Sequence, residues 1–331
     1  MLISQDITHH LSNKYYKASI IFLSFLIFLS NRLITFRYFL FFLFHKFQKN
    51  DIIFIRGEKV LIACFFVRLF KSISFSFEEH NFEFGKGKIK DYFYQKFMKQ
   101  SKLIITISKY TKKGWIKNGI KKEKILVFPS GVDIKKFDFI NKSKKILRTA
   151  LNLPLEKKII LYSGQLHIWK GVEIFIQASE YVAKNIQFII LGGLSQDIQF
   201  YRTKYKESKN IIFLGNKTYK EVPKYLKASD VLVLPNTAKK KISSLHTSPI
   251  KLFEYMAAKI PIVASDLPSI KQIISNKEVI FFEPDNPKEL GKKITELLKN
   301  YSLALEKTKK AYKIAKKFSW KNRATKILKH L

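Results

Sequence analysis

The sequence predicts an α/β protein of two domains, each built on a parallel sheet wound with helices. Three observations predict it. Runs such as Val231-Leu232-Val233-Leu234 are short, continuous and apolar and end at turn residues, the pattern of strands buried on both faces. Helical stretches separate each run from the next, which is the spacing of a doubly wound sheet rather than of hairpins. The 331 residues are enough for two domains of ordinary size, each with its own core.

Residues 18–44 open the chain as a very apolar stretch. Asn31, Arg32 and Arg37 interrupt it and leave an uncharged run too short for a bilayer, which takes about 20 residues. It therefore reads as core or interface. Lys14 and Lys17 ahead of it resemble the charged start of a secretory signal, but no small-residue cleavage pattern follows, so it is read as mature chain. Residues 51–56, 72–77 and 103–108 read as strands with apolar helical stretches between them. Residues 85–102, GKGKIKDYFYQKFMKQSK, interleave lysines with aromatics as a basic amphipathic helix. Such a helix either lies on a membrane surface or packs its aromatics on the sheet with its lysines in water. Residues 133–143 are polar and basic, and the linker is placed there. The pattern then begins again, with strands at 158–162, 186–191, 211–214, 231–234 and 261–264 and helices at 172–183, 221–228 and 249–257. In such a sheet a ligand lies outside the carboxyl ends of the strands, where the loops beginning at Ser163, Gly215, Pro235 and Ser265 gather.

Composition narrows the chemistry. Lysine and arginine total 62 against 25 acidic residues, a formal net charge of +37, which attracts nucleic acid, anionic lipid or phosphorylated substrates. The charge is spread along the whole chain together with abundant Lys, Ile, Phe and Asn, so it reads mainly as a compositional bias and implies no specific nucleic-acid partner. Cys64 is the one cysteine. It excludes an intrachain disulfide and a cysteine-rich metal cluster, and its apolar neighbours mark a buried, inert thiol. No Asp-x-Asp occurs, and no bound metal is expected.

Three constellations carry the chemistry. Residues 247–266, TSPIKLFEYMAAKIPIVASD, join a tight polar turn to an amphipathic helix and a buried strand. Ser248-Pro249 reads as a hydroxyl cap followed by proline at the first helical position, which aims unpaired N–H groups at an anion above the strand ends. Glu254, one turn in, reads either as a partner for ribose hydroxyls or as an acid complementing the helix dipole. Residues 163–171, SGQLHIWKG, follow a strand and open a helix; their glycines allow tight turns, and Lys170 sets a point charge where a diphosphate could sit. They lack the P-loop spacing. At Phe77-Glu78-Glu79-His80-Asn81 a strand ends in an acidic pair and a histidine, which is either structural or a group that binds or deprotonates a sugar hydroxyl.

Taken in order, FPSGVDIKKF at 128–137, YSGQLHIWKGVEIFIQA at 162–178, FLGNKTYKEVPKYLKASDVLVLPN at 213–236 and SPIKLFEYMAAKIPIVASDLPSI at 248–270 resemble glycosyltransferase family 4. These are enzymes of the GT-B fold, two Rossmann-like domains whose parallel sheets face a cleft, which transfer sugar from a nucleotide donor with retention of configuration. The resemblance implies that Glu254 holds the donor ribose. It implies that Thr247, Ser248, Pro249 and Ile250 form the turn that binds diphosphate and sugar, and that Lys170 meets the diphosphate beside Gly164 and Gln165. Gly215, Asn216 and Lys217 would cradle the nucleobase, and His80 would contact the transferred sugar.

Three departures stand out. His246 replaces the first acid of the family's E-x7-E signature, Gln165 stands for the arginine usual beside the lysine, and the glycine-rich turn that opens the family's first domain is not found. About one strand–helix–strand unit, on the order of 30 residues, is expected to be absent there. The expected organisation is a short acceptor-side domain at 1–143, a donor domain at 144–317 and a last helix at 318–331 returning to the first. The expected function is metal-independent, cofactor-free, retaining transfer from a nucleoside-diphosphate sugar to a saccharide or lipid-linked acceptor. It would serve surface polysaccharide or glycolipid synthesis, in the cytoplasm or peripherally on the inner membrane face against anionic lipid. The alternatives are a degenerate donor-binding membrane-associated protein without turnover, a basic polyanion-binding protein, and a sugar-nucleotide epimerase of the same fold.

Overall fold

The computed structural model describes residues 34–47, 51, 53–56, 58–80, 88–208 and 210–331. The chain divides into two compact units, Met1–Pro129 with Trp320–Leu331 and Ser130–Ser319. The elements of the larger unit fall largely where the apolar runs put them, and the expected absence of an amino-terminal strand and glycine-rich turn concerns residues outside the described ones.

The larger unit holds six parallel strands: β5 (Lys158–Ser163), β6 (Ile186–Leu191), β7 (Ile211–Gly215), β8 (Val231–Leu234), β9 (Ile262–Ser265) and β10 (Ile280–Phe282). Their order across the sheet is β10-β9-β8-β5-β6-β7. The chain steps outward from β5 to β7, then returns to the other side of β5 and steps outward again. The reversal lies between β5 and β8, the position at which open α/β sheets bind ligands. Alternation within the strands explains the continuous apolar runs. Ile159 and Leu161 enter one core with Leu232 and Ile262, whereas Ile160 and Tyr162 enter the other with Val231 and Val263. Helices cover both faces, so neither set of side chains is left in water.

The smaller unit has a four-stranded parallel sheet in the order β1-β2-β3-β4, formed by Ile53–Ile55, Phe75–Glu79, Ile104–Thr106 and Ile125–Val127. Its core gathers Phe42, Leu61, Phe75, Phe97, Met98 and Trp115. Phe42 comes from the helix Ile34–Phe44, so this helix adds one buried residue to the core while Phe36 and Phe44 stay exposed. Cys64 is buried there, and burial pushes its thiol well above the usual range, which fits an inert group.

Three boundaries differ from the sequence reading. The segment 133–143 carries the helix Ile134–Asp138, capped by Asp133 and anchored by buried Phe137. In the helix that follows, Arg148 reaches Asp230 at 2.6 Å at the start of β8 and also binds the Ala228 carbonyl. These bonds hold a basic stretch in the larger unit, and the division falls at Pro129 instead of residue 143. Phe318 likewise stays with the larger unit, its ring 5.3 Å from that of Phe253, so the last helix starts at Trp320. β2 runs Phe75–Glu79 rather than 72–77, so it ends in the expected acidic pair. Both are buried and both are satisfied, Glu78 by Arg323 and Glu79 by the Tyr94 hydroxyl at 2.8 Å.

Candidate active site

The reversal between β5 and β8 places two loops side by side, 164–171 after β5 and 235–249 after β8. Glycine backbone lines the strand ends. Gly164 N–H donates to the Leu191 carbonyl at 2.9 Å, and Gly192 N–H donates to the Gly215 carbonyl at 2.8 Å. These contacts link the ends of β5, β6 and β7 through residues without side chains. Gly192 has a φ of +117°, and a Cβ there would stand 2.3 Å from the Gly164 carbonyl oxygen. Only glycine lets the two turns meet this closely.

Lys170 ends a short 3-10 turn, Ile168–Lys170, closed by Gly171 in the left-handed conformation. Gly171 lies against the other loop: a Cβ would fall 1.8 Å from the Pro235 carbonyl. Thr237 N–H adds a bond to the Trp169 carbonyl at 3.3 Å. The two loops are thereby held together, and Lys170 is set over the end of β5, its Nζ 3.8 Å from where a Gly164 Cβ would be. Burial lowers the Lys170 pKa, and the charge of Lys251 lowers it further, while Glu254 opposes them. Lys170 and Glu254, 84 residues apart by their numbers, are thus electrostatic neighbours.

Glu254 lies on the helix Ile250–Ala258 and is 2% exposed. Its Oε2 accepts from Lys251 Nζ at 2.7 Å. One residue on, the Tyr255 hydroxyl accepts the Ser163 N–H at 2.8 Å, which locks the helix to the end of β5. The expected hydroxyl cap is corrected here. The buried Ser248 Oγ accepts the Ser130 N–H at 2.9 Å, and Ser130 Oγ donates back to the Ser248 carbonyl. Ser248 therefore ties the turn to the segment that opens the unit, and the helix begins at Ile250 after Pro249.

The remaining expected residues are dispersed around this centre. Gln165 is exposed, and its carbonyl accepts from the Tyr162 hydroxyl at 2.7 Å. Gly215 is left-handed at the end of β7, followed by exposed Asn216 and Lys217. His246 closes a π-helical turn, Ile242–His246, ahead of Thr247, and is half-buried. Burial and the charge of Lys241 lower its pKa, which favours the neutral ring. Sequence reading missed Lys251, Tyr255 and Gly192-Gly193. The glycine pair had a signal, since it directly follows the apolar run of β6.

His80 belongs to the smaller unit. Its Nε2 lies 2.8 Å from Glu78 Oε1 and 2.7 Å from an Arg56 nitrogen. Arg323 grips the same carboxylate at 2.9 and 3.3 Å. Burial alone would raise the Glu78 pKa, but the His80 hydrogen bond and the Arg323 and Arg56 charges outweigh it and hold the carboxyl well below the usual range. His80 is thus a half-exposed ring oriented by a fixed carboxylate at the carboxyl end of β2.

With this geometry in place, comparison with known proteins defines the class. Residues 143–318 match Glycosyl transferases group 1, and residues 7–136 match Glycosyltransferase Family 4. The chain belongs to the group 1 glycosyl transferases. It is 28% identical over 198 residues to the N,N'-diacetylbacillosaminyl-diphospho-undecaprenol alpha-1,3-N-acetylgalactosaminyltransferase of Campylobacter jejuni, a match covering 58% of this chain and 50% of that one. It is 29% identical over 163 residues to the UDP-Gal:alpha-D-GlcNAc-diphosphoundecaprenol alpha-1,3-galactosyltransferase of Escherichia coli, covering 46% of this chain and 40% of that one. The chain therefore spans half or less of these two relatives. Among solved structures, HepE of Anabaena in complex with UDP and glucose superposes with a TM-score of 0.72 at 18% identity, over 85% of this chain and 77% of that one. Apo OtsA does so with 0.74 at 13% identity, over 90% and 76%. The fold is α/β with two parallel sheets, of the GT-B type.

Proposed function

We propose that the chain transfers a sugar from a nucleoside-diphosphate donor to a saccharide or lipid-linked acceptor, with retention of anomeric configuration. The observation that carries this reading is that Lys170, set over the end of β5, and buried Glu254, on the helix that Tyr255 locks to the same strand end, are both brought to the reversal of the larger sheet. The carboxylate suits ribose hydroxyls, and the ammonium suits the diphosphate. The glycine-lined strand ends leave room for a ligand to approach the backbone. His246, Thr247, Pro249 and Ile250 line the approach to the helix start, and Gly215, Asn216 and Lys217 offer a place for the base.

In the proposed reaction an acceptor hydroxyl oxygen forms the new bond to the anomeric carbon as the bond to the phosphate oxygen breaks on the same face. The electron pair leaves with the nucleoside diphosphate, and the acceptor proton passes to a phosphate oxygen. Lys170 stabilises the charge that develops on the leaving phosphate. The protein supplies no nucleophile, and the reading requires no metal or cofactor. His80, oriented by Glu78, fixes the transferred sugar. A lipid-linked acceptor is supported by the named substrates of the Campylobacter and Escherichia relatives, and with such an acceptor the proposed work is surface polysaccharide or glycolipid synthesis at the inner face of the cytoplasmic membrane.

Thermal-shift and calorimetric titration with UDP-, GDP- and ADP-sugars tests the donor, since a ligand of the native state raises apparent stability. One nucleotide class should stabilise the chain. Labelled sugar should then pass to a lipid-extractable or saccharide product whose anomeric configuration is that of the donor. Absence of stabilisation by any nucleoside-diphosphate sugar would overturn the reading.

A further inference from the structure

One residue at the centre of the site is at odds with its local position. Lys251 is the second residue of the helix Ile250–Ala258, where unpaired N–H groups already make the field positive and an acid is the stabilised side chain. Its ammonium turns instead to Glu254 at 2.7 Å, one turn further on. Lys170, from the loop after β5, is near enough for the charges of both Lys251 and Glu254 to act on it. Lys251 makes the ion pair with this carboxylate, and Lys170 brings a second cation to the glycine-lined strand ends.

The loop after β5 sharpens the point. Residues 163–171 contain Lys170 and no other lysine or arginine, and Gln165 is uncharged. A nucleoside diphosphate brings at least two negative charges, so the loop alone leaves one of them without a partner. Lys251 is a cation whose charge reaches Lys170. Its side chain is 27% exposed while that of Glu254 is 3% exposed, so the lysine can swing away and the acid cannot.

We propose that Lys251 is a second diphosphate-binding cation, held on Glu254 and handed to a phosphate oxygen as Glu254 takes the ribose hydroxyls. The exchange keeps every group matched: the carboxylate trades an ammonium for two hydroxyl donors, and the ammonium trades a carboxylate for a phosphate. It also makes Lys251 a brake on nucleoside binding, because the ribose must displace it. The proposal rests on the donor-site reading above.

Calorimetry on the full chain tests it, with UDP, GDP and ADP and the matching nucleosides as probes and Lys251→Gln and Lys251→Arg as variants. In Lys251→Gln, affinity for the diphosphate should fall about tenfold or more, a difference of about 1.4 kcal/mol, while affinity for the nucleoside holds or rises. Lys251→Arg should keep most of the diphosphate affinity. A parallel loss of nucleoside and diphosphate affinity would overturn the proposal, because it would mean that Lys251 only positions Glu254. Unchanged affinity for both would overturn it as well. Lys251→Met gives the same readout should the glutamine variant fail to fold. A wild-type chain that binds none of the diphosphates would remove the donor-site reading and this inference with it, a failure seen before any variant is made.

Discussion

At the scale of single residues, the site rests on charges whose partners are far away in sequence, and that decides which of them could be read beforehand. Lys170 and Glu254 were legible because each sits in a long motif. Lys251 lies in the same motif, but a lysine at a helix start carries no local sign that a buried acid will hold it. The Ser248 hydroxyl was misread because Ser130, 118 positions away, competes for it. Glu254→Gln should weaken donor binding by roughly 1.5–3 kcal/mol, the range for a hydrogen bond to a charged group. The fold should persist, because half-exposed Lys251 can turn to water. Calorimetry beside circular dichroism separates the two effects, and unchanged donor affinity in a folded variant would refute the role of Glu254. Glu78 makes a prediction about acid. Its folded pKa is depressed, so the unfolded chain binds more protons and stability rises with pH through this window. The contribution is fully present above the unfolded carboxyl value, about 4.3, and is lost as pH falls toward the depressed folded value. Arg323→Met should flatten that dependence in unfolding measured between pH 6 and pH 3, and an unaltered profile would show that the Arg323–Glu78 pair is not its source.

At the scale of elements, strands were the most legible feature because both faces of each sheet are covered, which makes their residues apolar without interruption. Helix ends were less so, since tertiary partners rather than local caps decide them. The amphipathic helix, observed as Lys88–Gln100, divides the two readings offered for it: Tyr94, Phe97 and Met98 are buried, whereas Tyr92 and Phe93 stay exposed. The loops at the sheet reversal depend on one close approach. An alanine at Gly171 would meet both a left-handed backbone and the Pro235 carbonyl, whereas one at Gly215, at φ +69°, would meet only Ile198 Cδ1 at 3.7 Å. Gly215→Ala should therefore cost about 1–2 kcal/mol, the left-handed penalty alone. Gly171→Ala should cost more than this and should lower affinity for the diphosphate, because it pushes the Lys170 turn off the loop after β8. Equal stabilities of the two variants in urea would show that the loops do not hold each other as described.

At the scale of the whole molecule, the formal charge of +37 meets an apolar surface that only the folded smaller unit reveals. Phe66, Leu69 and Phe70, in and just beyond the helix Glu58–Val67, are all exposed, as are Tyr92 and Phe93. Ring contacts run from Phe66 through Phe65 and buried Phe97 to Phe93 and Tyr92, so the two exposed groups are joined through the edge of the core. Lys96 stands over the Tyr92 ring at 5.6 Å, and Arg68, Lys71 and Lys99 are close by in sequence. No helix among the described residues is long and apolar enough to cross a membrane. We predict membrane contact through these exposed groups, with rings entering the interface and cations facing anionic headgroups. Each basic residue near such a surface contributes about 1 kcal/mol, a contribution that salt screens; a fully buried phenylalanine contributes about 1.5–3 kcal/mol, which salt does not screen. The two parts are therefore separable in cosedimentation with vesicles of phosphatidylcholine alone or mixed with phosphatidylglycerol. The wild-type chain should prefer the anionic vesicles and lose binding as salt rises. Phe70→Ser with Phe93→Ser should weaken binding at every salt concentration with little change in slope, and Lys96→Gln with Lys99→Gln should reduce the slope. Equal recovery of the wild-type chain from neutral and anionic vesicles would remove the electrostatic part, and an unaffected phenylalanine double variant would remove the exposed rings from the account.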